Sequence, residues 1–138
     1  MKLGALLRAA SCCLALVLAA AGCGPSSEQL TPVKGKVSYR GHPCTGGTIV
    51  FIPDAARGTR GNLAVADIQP DGTFALKTND VLGAVAGHHR VTVSWVYTAT
   101  SGATPQSVLP TKYRDPQLSG LTREVVVNKT NAFEFDLD

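Results

Sequence analysis

Aromatic residues, methionine, helix-like patterning and an excess of one charge are all scarce in this 138-residue chain. One Trp, three Tyr and four Phe are too few to read an aromatic platform for bases or sugars from sequence. Thirteen basic residues face ten acidic ones, without the clustering of Lys and Arg that a nucleic-acid footprint needs, so a nucleic-acid partner is not expected. Cysteine is sparse as well. Four thiols are present, and Cys12 and Cys13 fall in a segment that reads as a cleaved leader, so no disulfide framework is expected.

That leader is the first positive feature. Lys2 and Arg8 make a basic start, and residues 9–21 are almost wholly apolar. Thirteen helical residues span roughly 20 Å, short of the ~30 Å hydrocarbon core, so the run suits an export signal better than a stable membrane span. Losing residues 1–22 takes two of the 13 basic residues away, leaving 11 against ten acids. The remaining 116 residues suffice for one domain and one core, and exclude a large cofactor-binding enzyme.

Ala20-Ala21-Gly22-Cys23 resembles the bacterial lipobox, with Ala20 where leucine is usual. The resemblance implies that the Cys23 thiol receives a diacylglyceryl group and becomes the new N-terminus. Two or more buried acyl chains hold a protein stably on a membrane. Gly24-Pro25-Ser26-Ser27-Glu28-Gln29 reads as tether, giving the division 1–22 lipoprotein signal peptide, 23–32 flexible tether and 33–138 folded domain. Gly24 is not the aspartate of inner-membrane retention, which points to an outer membrane.

Beyond the tether the periodicity is two. Val33, Gly35, Val37 and Tyr39 alternate with Lys34, Lys36 and Ser38, and Phe133, Phe135 and Leu137 with Glu134, Asp136 and Asp138. Further strands are expected at 48–52, 63–68, 73–77, 90–96 and 121–127, with Trp95, Phe133 and Phe135 in the core. Asp71-Gly72 between apolar runs predicts a hairpin, and residues 98–119, with three prolines, predict a surface loop. The expectation is all-β: a seven-stranded antiparallel β-sandwich.

Val33-Lys34-Gly35-Lys36-Val37, Gly46-Gly47-Thr48-Ile49-Val50-Phe51, Asp71-Gly72-Thr73-Phe74 and Lys112-Tyr113-Arg114-Asp115-Pro116, in this order, resemble carboxypeptidase-regulatory-like domains of small bacterial lipoproteins. The resemblance implies a transthyretin-like (prealbumin-like) sandwich and no particular activity.

Candidate reaction centres fare poorly on spacing. Tyr39-Arg40-Gly41 echoes the tail of hydroxyisourate hydrolases, which share the fold, but it lies in the first hairpin rather than among the last residues. Iron-binding dioxygenases on a related sandwich use two Tyr and two His, whereas His88 and His89 are adjacent and point to opposite faces of a strand. Lys34, Lys36 and Asp136 fall on wet faces, which argues against a Lys–Asp isopeptide bond. Cys44 follows His42 and Pro43 with no group to orient a base, so it reads as an apolar filler. Asp67, Asp71 and Asp80 are too dispersed for a calcium loop, and Asn128-Lys129-Thr130 reads as a turn.

The expected protein is thus a lipid-anchored, extracytoplasmic, non-catalytic binding or structural module of the cell envelope. No metal and no cofactor are expected, and the membrane is one partner. A cell-envelope protein or polysaccharide is the expected ligand class, with Tyr113 and Arg114 in the 98–119 loop as its contact candidates. The rival expectation is a small hydrolase or metal-dependent enzyme on the same fold, and a third is assistance to assembly through an open sheet edge.

Overall fold

The computed structural model describes residues 28–97, 99 and 101–138. The expected signal peptide, Cys23 and the first half of the expected tether therefore lie outside the described residues. Among these described residues fourteen strand segments run in chain order: β1 (Leu30–Thr31), β2 (Val33–Tyr39), β3 (His42–Pro43), β4 (Thr48–Pro53), β5 (Ala64–Asp67), β6 (Thr73–Ala75) and β7 (Lys77–Thr78) come first. Then follow β8 (Val81–Leu82), β9 (Ala84–Val85), β10 (Gly87–Ser94), β11 (Val96–Tyr97), β12 (Gln106–Ser107), β13 (Leu121–Val125) and β14 (Asn131–Leu137). The only helical pieces among the described residues are short 3-10 turns at Ala55–Arg57 and Thr111–Arg114. The fold is all-β, as the period-two patterning requires.

Two principal sheets form. One has the order β13-β10-β4-β5-β7-β8; the other is β14-β2-β3, with β6 beside β3 on the same flank of β2. Their facing sides meet through aromatic rings. Phe51 on β4 stacks on Phe133 at 6.0 Å and meets Phe135 edge-on at 6.1 Å, both on β14, while Phe74 on β6 lies 6.4 Å away. Such pairs add ~0.5–1.5 kcal/mol each to the burial of the rings themselves. Val37, Ile49, Leu76, Val91 and Val93 are fully buried around them. The result is sandwich-like and not a closed barrel.

Three features differ from the sequence reading. The pairing is not purely antiparallel, because β14 runs parallel to β2 over seven residues, from Asn131 opposite Val33 to Leu137 opposite Tyr39. Alternation tells which face a residue occupies and is blind to strand direction. Trp95 and Phe133 are only partly buried against the core. The turn at Asp71-Gly72 forms, with Gly72 N donating to Gln69 O at 2.8 Å, yet its flanking strands part: β5 stays in the larger sheet and β6 crosses to β2. The crossing is possible because Gly35 has no side chain; a Cβ there would stand 2.0 Å from Phe133 O and 2.7 Å from the Phe74 ring.

Two tight turns show the backbone chemistry that two-residue hairpins demand. Arg40 (φ 50°) and Gly41 (φ 78°) join β2 to β3, and Asn79 (φ 47°) and Asp80 (φ 66°) join β7 to β8. The second hairpin was invisible to the apolar pattern because its arms are two residues long.

The body also begins earlier than residue 33. Glu28 accepts hydrogen bonds from Asn62 N at 2.8 Å and Asn62 Nδ2 at 3.2 Å, and β1 pairs with β9. Thr31 is buried. The last part of the expected tether is thus folded structure.

Candidate functional site

Cys23 lies outside the described residues. The two contact candidates separate sharply. Tyr113 is 3% exposed, and its hydroxyl donates to the Asp138 carboxylate at 2.5 Å while accepting from Asp138 N at 3.1 Å. That bond, followed by Lys112 at 3.2 Å, holds the Asp138 carboxyl below its usual pKa. Tyr113 pins the 98–119 segment to the end of β14 and is not offered to a ligand. Arg114 is exposed.

The segment itself is not a free surface loop. Leu109 is buried, Ser119 Oγ donates to Val91 O at 2.7 Å, and β11 pairs with β12. Its longest exposed run among the described residues is 101–106, in the same segment that follows Tyr97, which is 59% exposed. The aromatic side chain that this region presents is therefore Tyr97, not Tyr113.

The reactive candidates are occupied by packing. Cys44 is free and fully buried, and burial pushes its thiol pKa up, away from nucleophilic use. His89 is 1% exposed, with Nδ1 at 2.9 Å from Gly87 O and its ring tilted on Phe51 at 5.8 Å. His42 pairs with Tyr39 at the end of β2, whereas His88 lies at the start of β10, so the histidines do not converge. Among the described residues no group of three His, Cys, Asp or Glu could hold a metal ion. Lys34 and Asp136 are exposed, as their alternation predicts.

A broad groove of about 1180 Å³ was not anticipated. Lys34 and Lys36 of β2, Lys77 of β7, Asp67 of β5 and Glu134 of β14 line it, over a base containing Phe74 and Phe133. The parallel register sets Lys36 directly opposite Glu134. Asp67 reaches the same groove from the other sheet. Alternating ammonium and carboxylate groups beside aromatic carbon can satisfy many hydroxyls at once, which suits a polar, near-neutral chain better than a polyanion. The sequence signal was the wet face of β2 and β14, but nothing in the periodicity said that those two strands are neighbours.

No helix among the described residues is long and apolar enough to cross a membrane. Compared with known proteins, the chain matches no family model, no curated protein and no solved structure.

Proposed function

We propose that this chain is an extracytoplasmic lipoprotein, anchored through Cys23, whose β body is a non-catalytic binding or structural module. The observation that carries the reading is how closely the lipobox abuts the body. Cys23 is five residues before Glu28, the residue gripped by Asn62. A lipid on that sulfur would hold the module at a membrane without a spanning segment. The transthyretin-like reading draws support from seven strands of three or more residues packed as two sheets. The ligand class we favour is a cell-envelope polysaccharide in the Lys34–Glu134 groove, for the hydrogen-bonding reason above.

The anchor is tested by feeding cells an alkyne-tagged fatty acid. Wild-type protein takes up the tag and Cys23→Ser does not; a tagged Cys23→Ser protein, or an untagged wild type, ends the proposal. The ligand class is tested with isolated envelope polysaccharide. Lys36→Ala with Glu134→Ala is expected to weaken its retention at least tenfold, while trimming residues 101–105 leaves it unchanged. The reverse result would move the contact surface to the segment beside Tyr97.

A further inference from the structure

The end of the body from which the chain leads back to Cys23 carries a second, smaller groove of about 450 Å³. Pro32, Ala75 and Leu82 give it apolar walls, and Lys34 and Lys129 also line it. Around it the apolar surface continues. Val81 is 59% exposed and Leu82 61% exposed on the edge strand β8, and Val127, two residues before Lys129, is 41% exposed. Exposed apolar side chains beside cations are costly in water and suited to one particular neighbour.

The chain's own length says what that neighbour is. From Cys23 to Glu28 are five residue steps, which reach at most about 18 Å when fully extended. Glu28 is fixed at Asn62; Gly61 beside it would touch Val85 through a Cβ; and Val85 pairs with Leu30, two residues before Pro32. Glu28, five residues after the proposed anchor, and the small groove are therefore at the same end of the molecule. Lys34 and Lys129 are the charged residues of the small groove's lining, which holds no carboxylate among the described residues.

We infer that this end is a membrane-docking face: Pro32 and Leu82, which wall the small groove, enter the interfacial region of the leaflet that holds the Cys23 lipid, and Lys34 and Lys129 meet its anionic phosphates. The inference rests on the anchored reading and adds an orientation to it. The Leu82 side of β8 rests on the bilayer, while Tyr97 on β11, beyond the far end of β10, faces away. Interfacial burial of a few apolar side chains together with nearby basic residues is the usual physical basis of such docking. Of the large groove's charged lining only Lys34 is shared with this face; Lys36, Lys77, Asp67 and Glu134 stay open to an envelope ligand.

The test uses the full acylated protein in vesicles. An environment-sensitive dye is placed on Leu82→Cys or, as a control, on Tyr97→Cys; Cys44 is buried and does not compete. In vesicles containing phosphatidylglycerol, the dye at 82 should be quenched by headgroup-labelled lipid and the dye at 97 should not. Adding Lys129→Ala should lower the docked-to-free ratio about fivefold, and phosphatidylcholine alone should lower it further. Equal quenching at 82 and 97 in a protein whose intact mass carries the acyl groups overturns the docking and leaves the anchor standing. An intact mass without acyl groups removes the anchor, and this orientation with it.

Discussion

The guanidinium carbon of Arg123 lies 4.2 Å from the ring centroid of Phe135, so the edge strand of one sheet is laid over the edge strand of the other. The same side chain donates from Nη2 to Glu134 O at 2.8 Å, a carbonyl on the edge of β14 that β2 does not cover. Arg123 thus fastens the open side of the sandwich and occupies one of the edge carbonyls that another chain could pair with. Its partial burial lowers its pKa without threatening its charge.

Arg123→Ala is therefore expected to cost about 2 kcal/mol, from the cation–π contact and a charge-assisted hydrogen bond together. Urea unfolding measures that loss, and light scattering should show association that grows with concentration. A variant as stable and as monodisperse as the wild type would mean that the edge is closed by something else.

His89 makes stability depend on pH near neutrality. Burial, with the charge of neighbouring His88 as a smaller cause, lowers its pKa, and the Gly87 hydrogen bond only partly offsets them. Nδ1–H donates to Gly87 O, while Nε2 is buried without a partner, so the folded imidazole is held neutral. The unfolded chain takes up a proton near the ordinary pH of about 6.5 and the folded chain resists, so stability is full above that pH and falls below it. The slope is at most about 1.4 kcal/mol per pH unit. Melting temperature should drop between pH 7 and pH 5.5 in the wild type and stay nearly level in His89→Leu. The Asp71 and Asp138 carboxyls, whose pKa values are lowered, lose their contributions only in the more acid range, below about pH 4. Equal pH slopes in wild type and variant would refute the assignment.

Tyr113 and Arg114, neighbours in sequence, should behave oppositely. Tyr113→Phe keeps the buried ring and loses the hydroxyl's bonds to Asp138, a change of about 1 kcal/mol or roughly 4 °C in Tm. Arg114→Ala, on the surface, should stay within about 0.5 kcal/mol of wild type. Calorimetry of the two variants decides it, and similar losses in both would contradict the structural role given to the tyrosine.

Much of this architecture was legible before any coordinates. Alternation at Val33–Tyr39 and across Phe133, Phe135 and Leu137 marks strands with one wet face, because successive side chains on a pleated backbone must point opposite ways. Spacing alone also dispersed the histidines and left Cys44 without a base. The resemblance of Ala20-Ala21-Gly22-Cys23 to a lipobox is a purely local pattern, readable as letters.

What the tertiary structure alone decided is adjacency. That β14 lies parallel to β2, that Lys36 therefore faces Glu134, and that Tyr113 turns inward to Asp138 all depend on contacts between residues far apart in the chain. Periodicity reports the face on which a side chain sits, since that is set by its own backbone. Its partner is set by which surfaces the whole chain can bury together, and so the groove, the Arg123 clasp and the apolar end near Pro32 emerge only after folding.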